Sequence, residues 1–521
     1  MSFALEPARS QSVPASPALP SATTNRTLKA TAAFASGALL GWPFALVLAL
    51  PFVLEELLVY SGNVVPAGRL LSFLRARFIG LLKAGLISSV IALPILVIDT
   101  LYYGRTVLVP LNIVVYNIFS KKRGAGPELY GIEPSWFYLA NLGLNAGPVV
   151  LGLALTSAPL AIAVRFLDPS RVTGRTNIPA KGHGKPHQST RLALLLLRLA
   201  PVYLWLGLLS SQPHKEERFM FPAYSLLCFN AAVGLEIFTG IIEKYVQCLK
   251  RGSAPQESGR KGTHAGNIFA LLLFLVSTTF SLLRVLGIVW SYSAPFAVMN
   301  YLFENNFALR PQFDLEYGDA IRPTELTICY GKEWHRFPNS FFLPQASSLY
   351  FIKSEFDGIL PKHFAESKLS QAPVEEFATL FNSLLERFVS PNLLAVTRAR
   401  HDGFNDLNLE EWNHYINAST QCALLVDSDL AGPNLESPPP HEPRFVRDSE
   451  NWRQEVCLPF LDTVASKKST TSGGGLASKL FLTLARILWM PSSIRRRAGL
   501  QYRDFCLLTN RRLTWADSDE D

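Results

Sequence analysis

The chain has 521 residues; 49% are hydrophobic, 17% are charged and the mean hydropathy is +0.18. Soluble chains carry about 25% charged residues, so this composition excludes a wholly soluble protein and points to several membrane spans with a more polar tail. The net charge of +8 is, in such a chain, a topology signal before it is a nucleic-acid footprint, and nucleic acid is not expected as a partner.

Residues 1–30 are rich in Pro, Ser and Ala and lack an apolar core, so they read as a disordered lead-in rather than a signal peptide. Six apolar runs follow, at about 31–54, 78–98, 135–164, 192–209, 219–242 and 267–290. Each is near the roughly 20 residues that a helix needs to cross a bilayer. The first contains Gly37-x-x-x-Gly41 and then Trp42-Pro43, a pair of small residues that permits close helix approach or simple packing. The second ends at Asp99, and Gly147-Pro148 loosens the third. No internal repeat is visible and Arg284 is singled out as a charged residue in mid-span, a pattern that disfavours a transporter.

Between the second and third runs, residues 99–135 are polar and aromatic, with a stretch at 106–118 suited to an interfacial helix. For Tyr102, Tyr103 and Trp136 an aromatic belt and a sugar-binding wall both stand open. Between the fourth and fifth runs lies Pro213-His-Lys-Glu-Glu-Arg-Phe219, two carboxylates, two cations and an imidazole in five consecutive positions. Locally it reads either as a snorkelling collar at the headgroups or as a reactive cluster.

Loops 55–77, 165–191 and 244–266 are basic and alternate along the chain, which assigns them to the cytoplasm. The Asp99 loop, the His214 cluster and the whole tail then share the opposite face. The tail mixes strand-like runs around 326–330, 423–426 and 505–508 with turns, and reads as one α+β domain. Inserts at 365–410 and 431–452 look loop-like, 467–475 is a linker, and 476–490 is an interfacial or packed helix. Cys329, Cys422, Cys457 and Cys506 allow two disulfides in three pairings, and no His/Cys cluster suggests a metal. Asn417-Ala-Ser419 is a glycosylation sequon on the tail. The expected organisation is a lead-in at 1–30, an all-α membrane domain at 31–291 and a soluble domain at 292–521.

His214-Lys-Glu-Glu-Arg-Phe219 resembles the signature of glycosyltransferase family 22, multispanning enzymes of the endoplasmic reticulum that take mannose from dolichyl phosphate mannose. Asp99-Thr-Leu-Tyr-Tyr-Gly-Arg105, Gly126-Pro-Glu-Leu-Tyr-Gly-Ile-Glu-Pro134, Cys329-Tyr-Gly-Lys-Glu-Trp-His-Arg-Phe-Pro338 and Pro459-Phe-Leu-Asp462 resemble its α-1,2 branch, which extends the lipid-linked N-glycan precursor. The α-1,6 and GPI-anchor branches share the His-Lys-Glu pattern but not the tail motifs. The resemblance runs from about residue 31 to 510. It implies a GT-C type membrane domain in the endoplasmic reticulum membrane with a luminal tail, and inverting mannose transfer onto dolichol-linked oligosaccharide. It implies membrane lipids as surroundings and no cofactor beyond the lipid-linked donor. The family pattern opens with a further span and a luminal loop carrying an acidic residue. An N-terminally shortened chain is therefore expected, with a binding or scaffold role as the alternative to turnover.

Such a transfer needs a carboxylate to take the acceptor proton and cations to hold the departing phosphate. The resemblance assigns the phosphate to Lys215 and Arg218, with His214 and, more weakly, Arg105; an interfacial anchor is the plain alternative for each. Asp99, Glu216 and Glu217 are the candidate catalytic carboxylates, and Tyr102, Tyr103, Glu128, Glu133 and Trp136 are the candidate acceptor wall.

Overall fold

The structure is a computed structural model and describes residues 21–58, 64–65, 68–103, 105–119, 126–167, 187–188, 190–251, 264–305, 308–309, 312–313, 320–321, 326–338, 340–344, 347–361, 405, 407–430, 438–466 and 475–515. They fall into two compact units, one up to Ser277 and one from Thr278 onward. Most of the lead-in, most of the 365–410 insert, the linker at 467–474 and the acidic C-terminus lie outside the described residues.

The first apolar run does not form one helix. Helix α1 (Ser21–Ser36) passes into a π-turn at Gly37–Gly41, Trp42 is extended, and a 3-10 stretch at Pro43–Ala49 leads into α2 (Leu50–Leu58). Pro43 has no N–H to continue a helical ladder, so the chain bends and returns: Arg26 pairs with Glu55 at 2.7 Å and the Phe34 ring lies 5.8 Å from Phe52. Residues 21–30 are thus helical, not a disordered lead-in, and the expected span at 31–54 is a bent hairpin. An added Cβ at Gly37 or Gly41 would meet nothing within 4 Å, so this glycine pair makes no close helix approach. The bend instead stacks Trp42 on Phe219 at 4.9 Å and sets it edge-on to Trp205 at 5.5 Å.

Among the described residues five helical stretches, not six, are long and apolar enough to cross a membrane: Leu70–Tyr103, Pro148–Phe166, Arg191–Ser211, Glu217–Leu249 and Ala265–Tyr292. The first comprises α3 (Leu70–Ser89) and α4 (Ala92–Tyr103), so Asp99 sits within a helix and does not end it. Next come α5 (Val109–Phe119), where an interfacial helix was expected, and α6 (Phe137–Asn145). Gly147 and Pro148 separate α6 from α7 (Pro148–Leu167). Then follow α8 (Arg191–Ser211), α9 (Tyr224–Arg251) after a 3-10 stretch, and α10 (Ala265–Tyr292), whose residues from 278 on belong to the second unit.

The close approach in this unit is at Gly234 of α9, where a Cβ would sit 2.2 Å from the Leu153 carbonyl oxygen of α7. Pro159 leaves the Leu155 carbonyl of α7 without its helical donor; the Tyr203 hydroxyl of α8 donates to it at 2.9 Å. Tyr138, Leu142, Val202, Trp205, Met220 and Leu227 form the core around these helices. Charge is buried too. Glu55 accepts from Arg26 and Arg198, Glu56 pairs with Arg77 at 3.0 Å, and the Thr27 hydroxyl reaches Glu56. Arg77, counted as a loop residue on sequence grounds, lies inside α3, and Arg198 lies inside α8. Charges at such depth persist because they are paired.

The second unit carries α11 (Ala294–Glu304) and a five-stranded sheet of β1 (Leu326–Tyr330), β2 (Ser347–Phe351), β3 (Leu424–Leu430), β4 (Trp452–Asp462) and β5 (Gln501–Asn510). The strand order is β2-β1-β3-β5-β4; β1 runs parallel to β2 and β3, and β5 antiparallel to β3 and β4. Both faces are covered. Ile328, Tyr330, Val426, Phe505 and Leu507 pack with Val298 and Leu302 of α11, while Cys329, Leu425, Cys506 and Leu508 pack with Ile352 and Trp452. Burial on both faces explains why these strands read as continuous apolar runs rather than alternating ones. Disulfides join Cys329 to Cys422 and Cys457 to Cys506, settling which of the three pairings is used. Helix α12 (Leu476–Ile487) and the short α13 (Ser492–Arg497) precede β5.

Candidate active site at the charged turn

Helix α8 ends at Ser211, Gln212 is extended, and Glu216 leads a 3-10 stretch at Glu217–Ala223. The Trp205 indole donates to Phe219 O at 3.0 Å and fixes that stretch against α8. Across from it runs the loop 126–134, in which Gly131 has φ of 113°, a conformation open to glycine and costly for other residues. Three bonds fasten the loop to the turn. The Glu133 N–H donates to Pro213 O at 3.0 Å, His214 Nδ1 bonds Gly131 O at 2.9 Å, and Lys215 Nζ donates to Glu133 O at 2.8 Å. Lys215 also donates to Gln212 O, and the residue is 6% exposed. Its ammonium therefore ties backbone to backbone, with one of its three N–H groups left over.

Glu216 is held from two sides. Arg218 reaches both its oxygens, at 2.5 and 3.0 Å, and His214 Nε2 lies 3.1 Å away. Partial burial works to raise its pKa, and the bonds from Arg218 and His214 more than offset this, so the carboxyl is held below the usual range. Both partners of the His214 ring, a carbonyl and a carboxylate, are acceptors. Arg218 has a side chain 69% exposed and keeps N–H groups beyond those spent on Glu216.

The turn and the loop enclose a cleft of about 440 Å³, within the range of small-molecule sites, about 300–1,000 Å³. Its polar wall is Asn117, Glu133, His214, Lys215, Glu216 and Arg218, and its rings are Tyr116, Tyr130 and Phe219. Glu133 is exposed there, and its carboxylate takes no hydrogen bond or ion pair among the described residues. Flat rings beside amide, carboxylate and guanidinium groups suit a sugar phosphate.

The other expected site residues stand outside this wall. Asp99 accepts the Val109 N–H at 2.8 Å and caps α5. Glu217 accepts from Asn145 at 2.7 Å. Arg105, Tyr103 and Trp136 are exposed, and they, Tyr102 and Glu128 do not line the cleft. Conversely Tyr116, Asn117, Tyr130 and Phe219 line it without having been assigned to it; the first three belong to the polar aromatic loop, which was the available signal.

A model of the Alg9-like mannosyltransferase family matches residues 5–344, a stretch that includes the loop and turn forming the cleft. The chain belongs to this family. The match opens upstream of residue 31, where the pattern was expected to start. Among relatives of the Alg9-like chain, human Alpha-1,2-mannosyltransferase ALG9 is 33% identical over 85% of this chain and 60% of its own length. The Schizosaccharomyces pombe Alpha-1,2-mannosyltransferase alg9 is 30% identical over 85% of this chain and 63% of its own length. The Saccharomyces cerevisiae Alpha-1,2-mannosyltransferase ALG9 is 26% identical over 94% and 70%. The chain thus spans about 60% of the length of the human relative. No solved structure matches it significantly.

Proposed function

We propose that this chain carries the mannose-transfer site of an α-1,2-mannosyltransferase that extends dolichol-linked oligosaccharide from dolichyl phosphate mannose. The observation that carries the reading is the cleft itself: the family signature lies along its wall and presents the exposed guanidinium of Arg218, and loop 126–134 adds the exposed carboxylate of Glu133. In the proposed step the acceptor hydroxyl oxygen bonds to the anomeric carbon as the carbon–phosphate oxygen bond breaks, and dolichyl phosphate leaves. Arg218, with His214, holds the departing phosphate. Glu133 is the carboxylate best exposed to take the acceptor proton. Lys215 positions the loop rather than the phosphate, and Glu216 fixes Arg218 and His214.

The cleft faces the endoplasmic reticulum lumen, and the tail forms a luminal domain following α10. Supporting this, the five candidate spans alternate so that the basic segments around 167–190 and 250–264 share one side. The same alternation puts loop 126–134 and the turn 212–216 together on the other side, where they are in fact bonded. Two disulfides in the tail fit an oxidising compartment.

The test is expression of this chain in cells lacking the endogenous α-1,2 enzyme, with profiling of lipid-linked oligosaccharides. Extension by the chain, lost in Arg218→Ala and Glu133→Gln, supports the reading; precursors that stay stalled overturn it. A second reading, binding of lipid-linked glycan without turnover, is favoured by the internal commitment of Asp99, Glu216 and Glu217. Capture of stalled precursor without extension distinguishes it.

A further inference from the structure

Arg284 and the apolar segment 476–490 were left over by the site, and they meet. Arg284 lies in α10, a candidate span, and its Nη1 donates to Ile487 O at 3.2 Å, the carbonyl that ends α12. The last carbonyls of a helix have no partner of their own and carry its negative dipole end, so a guanidinium is a fitting cap. One residue earlier on α10, Leu283 O accepts the Trp489 N–H at 2.8 Å. One turn later a Cβ at Gly287 would sit 2.8 Å from Ile487 O and 2.9 Å from Trp489 N. The end of α12 is therefore seated backbone-to-backbone on a span, about 12 Å inside its end at Tyr292 by helical rise. Nearer that end Arg495 stacks over Trp290, its guanidinium carbon 5.2 Å from the ring centroid, the aromatic and basic pairing of a headgroup layer.

Helix α12 has three sides. Leu482 and Ala485 are buried in the protein; Lys479, Thr483 and Arg486 form a polar stripe; Leu480, Phe481 and Leu484 are exposed, Leu480 to 59%. On α10 Leu282, Val285, Leu286 and Val289 are exposed as well. Twelve residues are too few to span a bilayer.

We propose that α12 is a monotopic membrane anchor of the second unit, its Leu480/Phe481/Leu484 face set in the acyl region of the bilayer and Arg284 holding it to the span. The occupant is lipid, because the helix is hydrogen-bonded to a span at a depth where the surroundings of that span are lipid. An anchor of this kind ties the sheet domain to the membrane surface through a second element besides α10. This inference does not depend on the mannosyltransferase reading.

The full chain, with the exposed free cysteines Cys228 and Cys248 replaced by serine, is reconstituted into phosphatidylcholine liposomes. Nitroxides are attached at Leu480→Cys, Leu484→Cys and Lys479→Cys in separate variants, and their collisions with oxygen and with a water-soluble nickel chelate are measured. Oxygen preference several-fold higher at 480 and 484 than at 479 is expected. Equal nickel access at all three sites overturns the anchor in favour of a water-exposed face. Exclusion of both reagents at 480 and 484, kept after transfer to detergent, overturns it in favour of a protein partner.

Discussion

Replacing Lys215 with methionine separates its two possible roles. Methionine keeps the apolar stem and removes the ammonium, leaving the Glu133 and Gln212 carbonyls without their shared donor. Bonds to charged donors contribute about 1.5–3 kcal/mol each, and the one to Glu133 O is the one that crosses from turn to loop, so opening of loop 126–134 becomes easier by about 1.5–3 kcal/mol. At 1.4 kcal/mol per tenfold the exchange of amides that need this opening accelerates by roughly one to two orders of magnitude. The Glu133 N–H is the reporter, since it donates across the same junction to Pro213 O. Hydrogen–deuterium exchange with mass spectrometry on the detergent-solubilised chain reads it. Arg218→Ala serves as the counterpart: it is expected to abolish transfer and leave the Glu133 amide protected. If Lys215→Met abolishes transfer while exchange at Glu133 stays at the wild-type rate, the ammonium acts on substrate and the positioning argument is refuted.

Gly234→Ala forces a methyl into a position 2.2 Å from Leu153 O and is expected to cost about 1–3 kcal/mol or more through separation of α7 and α9, read as a lower unfolding temperature in detergent. Glu56→Gln leaves Arg77 without its buried counter-charge; a loss of about 3–5 kcal/mol is expected, and the double variant with Arg77→Met is expected to recover part of it. Burial pushes the Asp427 carboxyl up to about 6 from 3.8, the Lys332 pairing working against it. Because the folded pKa is the higher one, its contribution to stability is full below about 3.8 and is lost as pH rises through 6, about 3 kcal/mol for two units. Asp427→Asn is therefore expected to flatten the stability profile between pH 4 and 6.5, measured by denaturant unfolding; an unchanged slope contradicts it.

Much of the architecture was legible because it follows from local properties. Runs of apolar residues and a polar tail specify candidate spans and an α+β domain without knowledge of any long-range contact. The strands at 326–330, 424–430 and 501–510 and the helix at 476–487 fell where their apolar runs lay. The first run misled because hydropathy counts residues and does not feel a backbone break: Trp42-Pro43 turns the chain back while every neighbour stays apolar. Strand β4 was hidden by Pro459 and by charged residues at 453 and 455.

In the site, sequence by itself singled out His214 to Phe219 as a charged cluster between two apolar runs. It did not determine their division of labour. A lysine and an arginine three positions apart look alike as cations; the fold buries Lys215 on two carbonyls and leaves Arg218 exposed. Asp99 at a span end looks available until α5 takes it as a cap. Glu133, Tyr116 and Asn117 become neighbours of the turn only when loop 126–134 is bound to it across more than eighty residues of chain. Arg26 with Glu55, Arg198 with Glu55 and Arg284 with Ile487 O are settled the same way. Burial strengthens a polar interaction and penalises a missing one, so which partner each group finds is a property of the tertiary structure, whereas the apolar pattern that creates the burial is already in the sequence.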